Sequence, residues 1–254
     1  MSNIVISGAG RGIGYYMAEQ LLADNHQVAV LDLNTDGLAE LKNRYGNRLQ
    51  YHTCDVSKAD EANQAVAQIV KEFGSIDCAV HNACKCTFDS MENTGEDTYK
   101  SVFDVNYFGA LHLSKATLPF MKAQKSGRIF FTSSGVGVTG FVNISPYASS
   151  KAAIEALAKC MNIEYSGTGI TVHILHPPLT RTASSKPLPV PDEFMADPEK
   201  VGVGLAKRML KKKKFIISNS AFQGMQTKMC YLFPVAFGKL LSKMTSGYKR
   251  SNLE

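Results

Sequence analysis

The sequence lacks two patterns that would place it in other protein classes: a membrane-spanning run and a zinc-binding cysteine spacing. A spanning helix needs about 20 apolar residues. The longest such run near the C-terminus, residues 230–237, is far shorter and contains Pro234. Cys84 and Cys86 are one residue apart and have no second pair to complete a metal site. We therefore expect neither a transmembrane helix nor a bound metal.

The first residues also lack the pattern of a cleavable leader. Residues 3–7 have the composition of a strand, with no basic segment, apolar core or small-residue cleavage site before them. We therefore expect a cytoplasmic protein whose six cysteines are reduced. With 254 residues, 44% of them hydrophobic and 20% charged, the chain is long enough for a globular fold with a sizeable core.

Short β-branched runs alternate with helical patterns along the chain. The runs lie at residues 4–6, 28–31, 79–81, 128–132 and 170–175. Between them, apolar residues recur at helical spacing, as in Ile13, Met17 and Leu21 and again in Ala62, Val66 and Ile69. This alternation predicts an α/β fold with a doubly wound, mostly parallel sheet and helices on both faces.

A glycine-rich turn follows the first predicted strand. Gly8, Gly12 and Gly14 lie between that strand and a helix that we expect to begin at Tyr15. Glycines let the backbone turn tightly and approach a pyrophosphate at the helix N-terminus. An ordinary tight turn is the alternative, but the position at the start of a βαβ unit predicts a dinucleotide site.

The end of the second predicted strand bears on the choice of nucleotide. Asp32 ends that strand, and its carboxylate can accept hydrogen bonds from the adenosine ribose while repelling a 2′-phosphate. Arg11, within the glycine turn, favours the opposite choice because a guanidinium can pair with that phosphate. We predict NAD in preference to NADP, since the phosphate would face the Asp32 carboxylate directly.

Tyr147 and Lys151 are four residues apart at the start of a predicted helix. Ser145 and Pro146 mark the helix start, with the serine hydroxyl expected at the cap. Residues four apart on a helix are neighbours, so the ammonium can lie beside the phenol and lower its pKa from about 10. Chance spacing on an exposed helix face is the alternative. The pair predicts an acid–base site if other residues accompany it.

Those residues are present, and together they resemble the short-chain dehydrogenase/reductase family. The resemblance rests on the glycine turn, on Asn82 and Ala83 after the fourth strand, on Ser134 thirteen residues before Tyr147, and on the pair Tyr147 and Lys151. It extends from residue 3 to about residue 217. It implies a single-domain Rossmann fold with a seven-stranded sheet. It also implies an NAD(P)(H)-dependent oxidoreductase that interconverts an alcohol and a ketone or aldehyde by hydride transfer.

The resemblance also implies roles for individual residues. Tyr147 would exchange the proton with the substrate oxygen, Ser134 would donate a hydrogen bond to that oxygen, and Lys151 would keep the phenol acidic and bind the nicotinamide ribose. The implied catalytic set is Asn106, Ser134, Tyr147 and Lys151, with the backbone of Asn106 holding a water that leads to the lysine. The implied cofactor-binding set is Gly8, Arg11, Gly12, Ile13, Gly14, Asp32, Leu33, Asp55, Val56, Asn82, Ala83, Tyr147, Lys151, Pro177 and Thr182.

Two residues depart from the family pattern near the expected site. Cys84 replaces the glycine that usually follows Asn-Ala, and we interpret it as a small buried thiol. Pro178 replaces a glycine after Pro177 and would stiffen the chain that enters the substrate loop, about residues 177–198. Ser7, in the first strand, also replaces a threonine but keeps the hydroxyl. None of the three changes removes a catalytic group.

The chain becomes strongly basic towards its C-terminus. From residue 200 onward it has twelve lysines or arginines and one acidic residue, Glu254. We divide it into a catalytic domain at 1–217 and an amphipathic extension at 218–254, with two short helices around Pro234. We favour an extension that covers a subunit interface or the substrate pocket. The alternative is a peripheral membrane contact. The lysines at 211–214 are expected in an exposed turn, and no nucleic-acid partner is predicted.

Three functional hypotheses follow from these patterns. The first is the oxidoreductase described above, acting on a small-molecule alcohol or carbonyl compound. The second is a nucleotide-binding redox sensor that keeps the fold for regulation. The third is a peripheral-membrane reductase of a lipid-like ketone. Helices at 98–124 and 146–165 match the usual subunit interface of the family, so we expect a homodimer or homotetramer.

Overall fold

Strands and helices alternate along residues 1–186, 188–211 and 213–245, which the computed structural model describes. The strands are β1 Asn3–Ser7, β2 Gln27–Asp32, β3 Leu49–Thr53, β4 Cys78–His81, β5 Gly127–Thr132, β6 Ile170–His176 and β7 Ile216–Ser218. The helices are α1 Gly12–Ala23, α2 Ala39–Tyr45, α3 Ala59–Phe73, α4 Glu96–Phe103, α5 Gly109–Gln124, α6 Val136–Thr139, α7 Ser145–Glu164, α8 Pro198–Met209, α9 Ala221–Leu232 and α10 Pro234–Thr245. A π-helical segment, Asp104–Phe108, joins α4 to α5, and short 3-10 segments lie at Asp36–Leu38, Gly46–Arg48, Ala183–Ser185 and Asp192–Phe194.

All seven strands form one sheet in the order β3-β2-β1-β4-β5-β6-β7, and every pairing is parallel. The order in which the chain adds strands to the sheet reverses between the neighbours β1 and β4, with β2 and β3 on one side and β5 to β7 on the other. Open parallel sheets bind ligands at such a switch point, outside the carboxyl ends of the strands. The glycine turn after β1 and Asn82 after β4 both lie at this point. The α/β Rossmann-type prediction is confirmed.

Apolar side chains fill both faces of the sheet. Ile4 and Ile6 pack on one face with residues of α1 and α8, whereas Val5 packs on the other with residues of α3, α5 and α7. Alternate residues of a strand point to opposite faces, so burial on both sides produces the continuous apolar runs seen in the sequence. The helix layers therefore hold the strand ends, and the loops that follow them, in fixed positions.

Two predicted helix starts are wrong in detail. Helix α1 begins at Gly12 rather than Tyr15, because Arg11 is extended and forms the N-cap position. Helix α7 has Ile144 at the N-cap without a side-chain cap, and the Ser145 hydroxyl lies 2.6 Å from the Tyr99 hydroxyl instead. Tyr147 still lies in the first turn of α7.

The predicted extension contains two successive helices, α9 and α10, on either side of Phe233. Among the described residues, no helix combines the length and apolarity needed to cross a membrane. Predictions that involve Pro187, Lys212 and residues 246–254 fall outside the described residues.

Candidate active site

The glycine turn is held against the end of β4. The Asn82 side-chain amide donates a hydrogen bond to the Gly8 carbonyl at 2.7 Å and accepts one from the Thr132 hydroxyl at 3.2 Å. Gly8 has a φ of +70°, and a Cβ at this position would collide with the backbone of Ala83. The turn therefore needs glycine for both conformation and space. Asn82 ties it to β5.

The N-terminus of α1 is arranged to receive an anion. Arg11 at the N-cap makes no side-chain capping hydrogen bond, so the first amides, including those of Gly12, Ile13 and Gly14, are not capped by it. Uncapped amides and the helix dipole favour a phosphate group at this position. Thr182 lies directly across the turn, since a Cβ added at Gly12 would meet its methyl carbon at 3.4 Å. These residues fit the pyrophosphate portion of a dinucleotide.

Asp32 lies beside the same turn at the end of β2. One carboxylate oxygen accepts from the Gly10 amide at 2.8 Å, and the other accepts from the Asn34 amide at 3.1 Å. Leu33 follows and is largely exposed. A carboxylate held here by backbone amides has a fixed position, so its charge repels any second anion that approaches the rim of the turn.

The remaining predicted cofactor residues follow neighbouring strands. Asp55 and Val56 follow β3, where one Asp55 oxygen accepts from the backbone amide and hydroxyl of Ser57 at 3.0 and 2.7 Å. Val56 is buried, and its carbonyl lies 3.0 Å from the His112 ring. Pro177 follows β6. All three positions lie at the carboxyl edge of the sheet with the glycine turn.

Ser134, Tyr147 and Lys151 meet beside this edge. A side-chain hydrogen bond joins the hydroxyl groups of Ser134 and Tyr147. The Lys151 ammonium nitrogen lies 5.5 Å from the centre of the Tyr147 ring and donates to the Thr132 carbonyl at 2.8 Å. Lys151 is buried, so its charge acts in surroundings that screen it weakly.

The proton affinities of this pair differ from the expectation. Burial raises the pKa of Tyr147 well above its usual value, and the nearby Cys84 and Cys86 thiols act in the same direction. The hydrogen bond with Ser134 opposes this shift but does not outweigh it. Burial also lowers the pKa of Lys151. The shift is therefore opposite in direction to the lowered phenol pKa that was expected, because desolvation is its largest cause.

Asn106 lies in the π-helical segment and is fully buried. Its side-chain oxygen accepts from the Lys85 amide at 2.8 Å, and its side-chain nitrogen donates to the Lys85 carbonyl at 3.0 Å. The same nitrogen donates to the Ser150 hydroxyl at 2.8 Å, next to Lys151 in the chain. The side chain thus joins the loop after β4 to helix α7. Its expected role through the backbone stays a prediction.

A buried polar cluster surrounds Glu155, one helical turn after Lys151, and it was not predicted from the sequence. One oxygen of Glu155 accepts from the Ser133 hydroxyl at 2.7 Å and lies 2.9 Å from the His176 ring nitrogen Nε2. The other accepts from the Tyr231 hydroxyl at 2.6 Å. Nδ1 of His176 is buried without a hydrogen-bond partner in the described part of the chain. The sequence signal that could have indicated this cluster is Glu155, an acidic residue one helical turn after Lys151 on the same face of the helix.

Apolar residues surround the open side of Tyr147. The cluster defined by Ile144, Leu188, Val190 and Met195 packs with Phe88, Phe141 and Tyr147 and joins the loop after Ser134 to the predicted substrate loop. Cys86 belongs to it, and burial raises the pKa of its thiol to about 12. Cys84 is only partly buried, which corrects the interpretation of a buried thiol. An apolar cluster therefore packs against one side of Tyr147.

Comparison with known proteins identifies the class. A family model described as short chain dehydrogenase matches residues 2–191. The chain therefore belongs to the short-chain dehydrogenase family of oxidoreductases. Oxidoreductase UcpA of Salmonella typhimurium is 34% identical over 212 residues, which cover 80% of this chain and 78% of that protein.

Two solved structures show the same fold. A short-chain dehydrogenase from Streptomyces avermitilis superposes with a TM-score of 0.82 at 24% identity, covering 98% of each chain. An alcohol dehydrogenase from the archaeon Thermococcus sibiricus, complexed with 5-hydroxy-NADP, has a TM-score of 0.76 at 28% identity. This match covers 86% of this chain and 94% of that one.

Proposed function

We propose that the protein is an NAD(P)(H)-dependent oxidoreductase that interconverts an alcohol and a ketone or aldehyde. The observation that carries the proposal is the arrangement of Ser134, Tyr147 and Lys151 beside a glycine turn that fits a dinucleotide. A bound nicotinamide would supply or accept the hydride. Gly8, Gly12 and Gly14 of the glycine turn, together with Asp32 and Thr182 beside it, would hold the dinucleotide.

The proposed roles follow from where charge develops. In the reducing direction, the carbonyl oxygen gains negative charge while the Tyr147 hydroxyl donates its proton to that oxygen. Ser134 donates a hydrogen bond to the same oxygen and stabilises that charge. Lys151 lies close enough to favour the phenolate left on Tyr147. Oxidation of an alcohol reverses these steps, with Tyr147 as the base.

NAD is the proposed cofactor, in preference to NADP. Asp32 is fixed by two backbone amides at the rim of the glycine turn, where a 2′-phosphate would meet its carboxylate. Arg11 is exposed beside it and is the residue that would favour NADP. Activity measured with each cofactor decides between them.

An apolar substrate is the second part of the proposal. The wall beside Tyr147 is built from Ile144, Val190, Met195 and aromatic side chains. Such a wall favours a ketone with a hydrocarbon body over a sugar, because sugar hydroxyls would lack partners there. This supports the reductase of a lipid-like ketone among the three hypotheses.

The decisive experiment removes the reacting hydroxyl. Tyr147→Phe should abolish turnover of a panel of steroids, sugars and long-chain ketones while nucleotide binding, measured by calorimetry, is retained. Tyr51→Phe is the matched control, because Tyr51 lies partly exposed on the edge strand β3. Undiminished turnover in Tyr147→Phe would contradict the proposal. Nucleotide binding by the unaltered protein without turnover of any panel member would favour the redox-sensor hypothesis.

The proposed homodimer or homotetramer uses the helices at 98–124 and 146–165. Phe108 and Ile163, one on each of these segments, are exposed apolar residues. Burial of such side chains between subunits would stabilise an assembly. Sedimentation equilibrium of the unaltered chain tests it.

A further inference from the structure

Helices α9 and α10 carry an apolar stripe that the described chain leaves exposed. We call it the C-terminal face, defined by Phe222, Met225, Met229, Leu232, Phe233, Val235 and Leu240. Leu232 is 67% exposed and Phe222 is 66% exposed. Large apolar side chains are rarely exposed together in this way on a protein surface without a binding partner.

The spacing of these residues puts the α9 members on one side of the helix. Phe222, Met225, Met229 and Leu232 follow one another at intervals of three, four and three residues. The opposite side of α9 packs against the rest of the protein, since Thr227 and Cys230 on that side are buried. Phe233 and Val235 extend the exposed apolar surface through the junction between the two helices.

The charged residues that α9 and α10 themselves carry have one sign. Lys228 and Lys239 are exposed among its residues, and the sequence has no aspartate or glutamate between residues 200 and 253. An apolar stripe flanked by lysines is complementary to the surface of an anionic bilayer. There the stripe enters the acyl boundary and the ammonium groups meet the phosphates.

We infer that the C-terminal face docks on an anionic phospholipid membrane. A second copy of the chain is the main alternative occupant. In a two-fold contact the same surface faces itself, so the lysines of each copy would meet helices α9 and α10 of the other, which carry lysines and no acidic residue. Like charges brought together in this way oppose association. The face therefore suits anionic headgroups better than itself.

Two hydrogen bonds connect helices α9 and α10 to the elements that carry the proposed active site. Tyr231, between the exposed Met229 and Leu232, donates its hydrogen bond to Glu155 on the catalytic helix α7. Ser242 of α10 accepts a hydrogen bond from the Val142 amide at 3.2 Å, in the loop after Ser134. Docking would thus bring the apolar wall beside Tyr147 close to the membrane. The delivery of a lipid-like ketone from the membrane rests on the proposed function, whereas docking itself does not.

Vesicle co-sedimentation of the full chain tests the inference. Vesicles of phosphatidylcholine and phosphatidylglycerol in equal parts should sediment the unaltered protein, whereas phosphatidylcholine alone should sediment much less. Leu232→Glu should weaken binding to the mixed vesicles by about tenfold or more, because one leucine no longer enters the apolar layer. Met91→Glu is the matched control, since Met91 is an exposed residue in a turn outside this face. It should bind like the unaltered protein.

The lysines provide a second variant that leaves the apolar stripe intact. Lys228→Gln combined with Lys239→Gln should lower affinity for the mixed vesicles roughly fivefold for each charge removed, with little effect on phosphatidylcholine alone. Thermal melting of each variant shows whether it is folded.

Three results would overturn docking: no sedimentation of the unaltered chain, equal loss in Leu232→Glu and Met91→Glu, or no dependence on phosphatidylglycerol. Dissociation of an oligomer by Leu232→Glu in lipid-free sedimentation equilibrium, without a change in vesicle binding, would assign the face to a subunit contact instead. Because these assays need neither cofactor nor substrate, their outcome is separate from that of the Tyr147→Phe experiment.

Discussion

Removal of one hydroxyl, in Tyr231→Phe, should measurably loosen the attachment of α9 to helix α7, which carries Tyr147 and Lys151. The Tyr231 hydroxyl donates to Glu155 at 2.6 Å, and Glu155 is only 4% exposed. A hydrogen bond to a buried charged group contributes about 1.5–3 kcal/mol to the free energy of unfolding. For a chain of this length each kcal/mol corresponds to roughly 2–4 °C, so the midpoint should fall by roughly 3–12 °C.

The pH dependence of this difference follows from the Glu155 carboxyl. Burial alone would raise its pKa, but the hydrogen bonds from His176, Tyr231 and Ser133 together lower it below its usual value. A lowered folded-state pKa means that the stabilisation is complete above the unfolded pKa and is lost as pH falls through the folded value. The gap between the unaltered protein and Tyr231→Phe should therefore be full at neutral pH and narrow below about pH 4.

Differential scanning calorimetry is the assay, with Tyr51→Phe as the control. Tyr51 is partly exposed on β3, so loss of its hydroxyl should change stability by less than about 0.5 kcal/mol. A double-mutant cycle with Glu155→Gln should give a coupling energy of about 0.5–3 kcal/mol. Equal melting of the two tyrosine variants, or strictly additive effects in the cycle, would refute the reasoning.

Other predictions concern the glycine turn, Asp32 beside it, and Asn106. Gly8→Ala should lower the urea midpoint more than Gly74→Ala. Both glycines have positive φ, a conformation that costs alanine about 1–2 kcal/mol. Only at Gly8 would the added Cβ also collide with backbone atoms, those of Ala83. Equal midpoints for the two variants would show that this collision does not destabilise the fold. Asp32→Ala should reduce the preference for NAD over NADP by about tenfold or more, because repulsion of the 2′-phosphate is removed; an unchanged ratio of kcat/KM values would rule this out. Asn106→Ala should lower the free energy of unfolding by about 2 kcal/mol or more, since the buried Ser150 hydroxyl and the Lys85 backbone lose their hydrogen bonds to the amide. A urea titration with an unchanged midpoint would show that water replaces the amide.

The fold was accessible from sequence, and the proposed catalytic residues could be singled out there, because the patterns that mark them are local or regularly spaced. Apolar runs of strand length mark β1, β2, β4, β5 and β6 within one or two residues of their observed bounds. Parallel strands put their carboxyl ends at one edge, so residues that follow different strands converge there without knowledge of side-chain contacts. This is why Gly8, Asn82 and Ser134 could be assigned to one site.

Errors arose where several contacts compete for one group. The Ser145 hydroxyl was expected to cap α7, but Tyr99 from another helix occupies it. The Tyr147 pKa was expected to fall beside Lys151, but burial raises it. In both cases the local pattern marked the residue, while its hydrogen bonds or its pKa depended on neighbours distant in the chain.

The sequence by itself determined the parallel α/β architecture, the glycine turn and the Tyr147–Lys151 pair, because strand and helix periodicity and residue spacing are properties of the chain. Only the tertiary structure decided that Ser133, Glu155, His176 and Tyr231 form one buried cluster, and that the apolar stripe of α9 is exposed. Burial and long-range hydrogen bonding depend on which surfaces meet when the chain folds. For the C-terminal helices, the same amphipathic pattern is compatible with a face turned inward or outward.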